Sequence, residues 1–416
     1  RGLGDVYKRQ VSVITDLYAY CEQGATDSYS PSERSTLAES LNKLRDAYYA
    51  EGDVEYAGRY LFSGYMTDTP LTYQSDETAA KADFTITQEF TRENIELKTV
   101  YTNAYSNDDI LNLNVKTDAA TGNVITPNVA DVHRVRIGYT KVSDAGTFEI
   151  KLNDGTKIAA AAVNDSNYQP GDDEAAFNAA TGEILLGENV YKQLYASDGF
   201  SFTYRKDNFA KGDLNPVMYY DCVDNNPDNA GVVYTKKTED IEYNINFSQK
   251  LKVNTEANEV FNMYLGRDID DLITSVNNVI DIEAQLEKVE GMLKQDIYSD
   301  KDSQSKLNSI KEGLTKQNEL AKEEMKNRFE YCVGTMQGYQ EQASLAKADA
   351  GNRMTRLNLT KSRLTEQKTN FTNLKSENED IDLEEVVVGY SAAQLVYNAS
   401  LTAASKVIQQ TLLDFL

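Results

Sequence analysis

Phe329, Met336, Ala343, Ala350, Leu357, Leu364 and Phe371 recur at strict steps of seven. Met325, Cys332, Tyr339 and Ala346 fill the companion positions. Two apolar positions per heptad define a seam that packs against another helix with left-handed supercoiling. A helix over residues 303–376 would run on the order of 110 Å at about 1.5 Å per residue. A compact globule has no use for that length, so the spacing predicts an elongated, coiled-coil-like rod.

Proline marks where such helices can lie. All six prolines precede residue 228. Proline ends helices, so the distribution predicts an irregular or sheet-rich middle and a helical C-terminal part. Ser30, Pro31 and Glu33 form a capping box with proline at the first helical position. Leu37, Leu41, Leu44 and Tyr48 then make one apolar stripe, on a helix that Gly52 or nearby residues should weaken or end. A second stripe runs through Ile269, Leu272, Ile273, Val276, Ile280, Leu286, Val289 and Leu293, with a break near residues 298–302.

Between these helical parts the period changes to two. Val135, Ile137 and Tyr139 alternate with polar residues, as do Phe148, Ile150 and Leu152. Asn153, Asp154 and Gly155 form a turn before a new strand at Lys157 and Ile158. Residues 184–186, Phe200 with Phe202 and Tyr204, and Ile241 with Tyr243, Ile245 and Phe247 read as further strands.

The last segment has its own period. Val386, Tyr390, Ala393, Tyr397, Leu401, Ala404, Ile408, Leu412 and Phe415 step by four and three in an eleven-residue repeat. That repeat favours a nearly straight pairing. Asp382 and Glu385 offer a cap before it. The larger residues of this stripe would contribute roughly 10–20 kcal/mol gross if buried. We read the stripe as an interface covered by neighbouring subunits, the alternative being a helix folded back on the long one as an ordinary bundle member. The fold class expected is therefore α+β and elongated, with a long helical bundle from both chain ends and a β-rich middle domain. The divisions are a helical segment at 11–64, the β-rich domain at 65–250, a helical rod at 251–376 and an assembly helix at 377–416. Residues 1–10 break the pattern and begin with Arg1 rather than Met, so we set them aside as an artefactual leader on a truncated start.

Composition excludes several classes. The chain carries 42 basic and 66 acidic residues, a formal charge of −24. Nucleic-acid partners need clustered Lys and Arg, so none is expected. Residues 386–405 lack charge, but polar residues line one side, which argues against a membrane span. Cys21, Cys222 and Cys332 are too sparse for a disulfide framework or a zinc site. The single histidine, His133, reads as a strand-surface imidazole. Neither a nucleophile elbow nor a phosphate-binding loop accompanies it. Asp224, Asn226 and Asp228 copy the start of a calcium loop. However, Asn229 replaces its glycine and Thr235 its glutamate, so Asx-rich turns are the better reading. No catalytic residue, cofactor or metal is expected.

Two stretches carry a resemblance. Gly24-Ala25-Thr26-Asp27, Gly58-Arg59-Tyr60-Leu61-Phe62-Ser63-Gly64 and Thr67-Asp68-Thr69-Pro70 lie near the start. Leu364-Thr365-Glu366-Gln367-Lys368, Glu377-Asn378-Glu379-Asp380, Ser391-Ala392-Ala393-Gln394-Leu395 and Thr411-Leu412-Leu413-Asp414-Phe415-Leu416 lie near the end. Together they resemble the hook–filament junction proteins, the third hook-associated proteins of bacterial flagella, within a flagellin-like class. The resemblance implies a structural, non-enzymatic subunit outside the cell, exported by the flagellar secretion apparatus. It implies a homo-oligomeric ring, contacts with a neighbouring hook-associated protein and flagellin, and an export chaperone on the C-terminal helix. A filament flagellin and a coiled-coil-stalked surface adhesin are the alternative readings.

Overall fold

The computed structural model describes residues 3–25, 29–229, 231–236, 239–246, 249–380 and 382–413, the last six by backbone alone. The helices are α1 (Leu3–Gly24), α2 (Pro31–Ala50), α3 (Asp76–Ala80), α4 (Asn107–Leu111), α5 (Glu188–Ala196), α6 (Ala257–Val260), α7 (Met263–Leu293), α8 (Lys301–Glu379) and α9 (Leu383–Leu413). The first seven strands are β1 (Glu55–Tyr56), β2 (Arg59–Tyr60), β3 (Phe84–Phe90), β4 (Ile95–Thr102), β5 (Asn128–Arg136), β6 (Phe148–Leu152) and β7 (Lys157–Ala162). They are followed by β8 (Ala175–Asn178), β9 (Glu183–Leu186), β10 (Phe200–Lys206), β11 (Asp221–Asp224), β12 (Val233–Tyr234), β13 (Glu242–Asn246) and β14 (Gln249–Lys252). The fold is α+β, with long C-terminal helices and a β-rich middle. The chain divides into two compact units. The first comprises Arg1–Tyr243 and Lys252–Asn352, and the second Asn244–Leu251 and Arg353–Leu416.

In the first unit a helical layer is built from α1, α2, α7 and α8 up to Asn352. The expected box starts α2: Ser30 N–H donates to Glu33 Oε2 at 2.7 Å, and Glu33 N–H to Ser30 Oγ at 3.4 Å. Leu37, Leu41 and Tyr48 are buried from α2, and Ile269, Leu272, Val276 and Val289 from α7. Residues 4–10, set aside on sequence grounds, belong to α1 and place Val6, Tyr7 and Gln10 in the interior. Gln10 Nε2 donates to the Val260 carbonyl at 2.6 Å. A glycine ends α1 because the Phe329 ring of α8 lies where a Cβ on Gly24 would sit.

The middle is one ten-stranded sheet in the order β12-β11-β3-β10-β6-β7-β8-β9-β5-β4. Every pairing is antiparallel except β7 with β8. The expected alternation is present in β6, where Phe148, Ile150 and Leu152 are buried and Glu149 and Lys151 exposed. The turn after it closes with Gly155 at φ +89° and Thr156 N–H on Asp154 Oδ1 at 2.8 Å. Phe148, Phe177 and Phe202 meet with centroids 4.6 and 4.9 Å apart and fill the sheet's inner face. Helices α1 and α2 meet their connecting segments at an aromatic knot. Phe62 meets Tyr7 at 5.6 Å and Phe261 at 5.2 Å, and Tyr48 meets Phe261 at 5.3 Å. The Arg59–Gly64 stretch thus contributes the central ring of the knot.

The second unit holds the rest of α8, then α9, and most of the two-stranded β13–β14 sheet. A two-stranded ribbon is marginal alone. Here Leu251 is buried, Arg356 Nη2 donates to the Lys250 carbonyl at 3.3 Å, and Thr360 of α8 is covered. Phe247 lies outside the described residues.

Candidate assembly surface

The heptad seam divides into a covered part and an uncovered one. Phe329, Met336 and Ala343 have no solvent exposure, and Ala350 is half-buried. In the second unit Leu357 is 48% exposed, Leu364 44% and Phe371 70%. The covered part is sealed by α1 and α7. Gln340 Nε2 donates to Thr15 Oγ1 of α1 at 2.9 Å, and Tyr339 OH to Asp268 Oδ2 of α7 at 2.7 Å.

Helix α9 is exposed at every position whose side chain is described. Its start is capped by Asp382, whose Oδ1 accepts from Glu384 N–H at 2.9 Å. Val386, Tyr390, Ala393, Tyr397, Leu401 and Ala404 are all exposed. The backbone at Ile408 and Leu412 continues the helix, and Phe415 lies outside the described residues. The opposite face is apolar as well, with Val387, Val388, Leu395 and Val396 between 53 and 72% exposed. No helix among the described residues is long and apolar enough to cross a membrane. Burying a valine, leucine or tyrosine of this kind is worth about 1.5–3 kcal/mol, so α9 and distal α8 present a large unused drive for association.

A buried charge cluster joins the sheet to α7. Arg134 and Arg136 of β5 are 2% and 4% exposed. Arg134 reaches Glu183 at 2.5 Å and Asp271 at 2.5 Å, and Arg136 reaches Glu96 at 2.6 Å and Asp268 at 2.8 Å. Lys98 adds a 2.7 Å contact to Glu183. Burial pushes the Asp271 carboxyl up, but Arg134, Arg136 and Arg267 overcome it and hold the group well below the usual carboxylate range. Glu183 is likewise held low by Lys98 and Arg134 against its burial. Asp268 is raised, because burial outweighs Arg136 there. Such pairs tolerate burial only when each charge is met by hydrogen-bonded opposites.

Nothing in the described residues assembles obvious chemistry. His133 stacks on Tyr191 with centroids 3.5 Å apart and lies 3.7 Å from Glu188. Burial pushes the Cys21 and Cys222 thiols up to about 12 and raises Cys332 well above the usual thiol range. Among the described residues no group of His, Cys, Asp and Glu could hold a metal ion. At residues 224–228, Asn226 N–H donates to Asp224 Oδ1 at 2.9 Å and Asp228 N–H to Asn226 Oδ1 at 3.0 Å, which are Asx turns.

Neither a protein-family model nor a curated protein matches the chain. Its structural neighbours are flagellar junction proteins. FlgL of Xanthomonas campestris shares 12% identity over 90% of this chain and 92% of that one, with a TM-score of 0.32. The flagellar junction protein FlgL of Legionella pneumophila shares 11% over 86% and 90%, with a TM-score of 0.26. The flagellar hook-associated protein 3 of Legionella pneumophila shares 10% over 88% and 91%, with a TM-score of 0.22. Scores this low leave the fold to be argued from the chain's own elements.

The charge cluster was the feature that sequence reading missed. Arg134 and Arg136 sit on one face of a strand where alternation assigned polar residues to water. A signal was available in Asp268, Asp270 and Asp271, three acids inside the apolar stripe of α7. Acids in a stripe that faces the interior call for buried cations opposite.

Proposed function

We propose that this chain is a self-assembling structural subunit of the bacterial flagellum that joins hook to filament. The observation that carries the reading is the apolar surface of α9 and distal α8, left uncovered in the isolated chain. The motif resemblance at both chain ends supports it. In this reading Val386, Tyr390, Ala393, Tyr397, Leu401, Ala404, Ile408, Leu412 and Phe415 form the subunit interface of a ring. The exposed seam residues Leu357, Leu364 and Phe371 pack against adjacent rods. A neighbouring hook-associated protein and flagellin contact the ring, and an export chaperone covers the C-terminal helix before secretion. The working divisions remain 11–64, 65–250, 251–376 and 377–416.

The mechanism is mechanical rather than catalytic. Apolar helix seams transmit torque between two polymers of different stiffness, while the ionic cluster keeps the sheet fixed on its helices. Antibody labelling of intact flagella tests the assignment. Signal confined to the base of the filament is expected. Label along the whole filament would instead identify a flagellin, and normal swimming after gene deletion would favour an adhesin.

A further inference from the structure

Charge in the second unit is segregated along the chain. Residues 353–375 carry six basic residues and one acidic, whereas residues 377–385 carry six acidic residues and no basic one. With Lys250, Lys406 and Asp414 the unit holds eight basic and eight acidic residues, so the chain's −24 resides in the first unit. A merely solvated helix alternates its signs so that neighbours pair at i,i+4. Here one such pair bridges the two blocks, Lys375 to Glu379 at 3.5 Å. Lys361 and Lys368 are exposed, as are Glu384 and Glu385.

Apolar surface accompanies the basic block. Leu364 and Phe371 line a shallow hollow of about 460 Å³, rimmed by Lys368 and Lys375. Its occupant must bring apolar atoms flanked by carboxylates. Within the second unit the start of α9 has that composition, where Leu383 and Val386 accompany Glu384 and Glu385 and are 76% and 47% exposed.

We propose that the basic block of one chain docks on the acidic block of a second copy, in an antiparallel two-fold pair. A plus-then-minus pattern is self-complementary when two copies run in opposite directions. Both blocks of both chains are then satisfied at once, and the contact closes as an isologous dimer. A parallel pair would need an axial offset and leave one block open on each chain. The proposal concerns the chain outside any polymer and does not rest on the flagellar reading.

The experiment uses the full chain in sedimentation across protein and salt concentration. The wild type is expected to dimerise, and to weaken as salt rises from about 0.05 to 0.5 M, where screening shortens to a few ångströms. The Lys361→Glu/Lys368→Glu variant and the Glu384→Lys/Glu385→Lys variant should each lose at least about tenfold in self-affinity. An equimolar mixture of the two should recover a heterodimer. All four substitutions lie at exposed helix positions, and circular dichroism checks that each variant folds. A monomeric wild type, dimers indifferent to either reversal, a mixture that does not associate, or open polymers in place of pairs would each overturn the proposal.

Discussion

One helix carries the same repeat through two regions that use it differently. In the first unit the seam residues Phe329, Met336 and Ala343 are closed over by α1 and α7, and buried ions lock the sheet against α7. In the second unit Leu357, Leu364 and Phe371 continue the step of seven, yet stand in solvent. The difference teaches that a heptad specifies a ridge and not its partner. The first unit covers its apolar surface within the chain, and the second leaves it exposed.

That contrast can be broken most forcefully at the ionic cluster. Arg136→Ala leaves Asp268 and Glu96 without their closest cation and should cost the first unit about 3–5 kcal/mol in urea unfolding. A loss below about 1 kcal/mol would show that the cluster does not hold the sheet. Acid should act on the same groups. The Asp271 and Glu183 carboxyls are depressed in the folded state, so their stabilisation is present above the unfolded values near 4 and is lost as pH falls through the folded ones. Asp268, raised by burial, works in the opposite sense. Urea midpoints should therefore fall below about pH 4, and Glu183→Gln should flatten that fall. An equally steep fall in the variant would remove Glu183 from the account.

Smaller effects sharpen the comparison. Gly24→Val drives a side chain into the Phe329 ring and should cost about 1–3 kcal/mol. Ser30→Ala removes the cap of α2 and should cost about 1 kcal/mol. Leu364→Ser and Tyr390→Ser, at exposed positions of the second unit, should change chain stability by no more than about 0.5 kcal/mol. Both should nonetheless weaken self-association measured by sedimentation. A large stability loss from either would mean that the face is covered within the chain.

Periodicity made the long elements legible. The steps of seven from Phe329 and the absence of proline after residue 227 placed α8, and the Ser30 box placed the start of α2 to the residue. Alternation placed β6 and β10, and a short apolar run placed the fully buried β9. What stayed hidden were features that depend on distant partners. Arg134 looks like a surface residue until Glu183 and Asp271 arrive from other elements. Tyr7 looked extraneous because the ring it packs on, Phe62, lies far along the chain. For the assembly surface, sequence supplied the apolar stripe of α9, whereas its exposure required the coordinates.

The three buried thiols provide internal clocks. With pKa values of about 12 for Cys21 and Cys222, only roughly one part in 10⁵ is thiolate at pH 7, and neither sulfur is open to solvent. An alkylating reagent can therefore reach them only when the surrounding structure parts. Cys21 and Cys332 report breathing of the helical layer, and Cys222 that of the sheet. Their relative labelling rates would show which layer opens first.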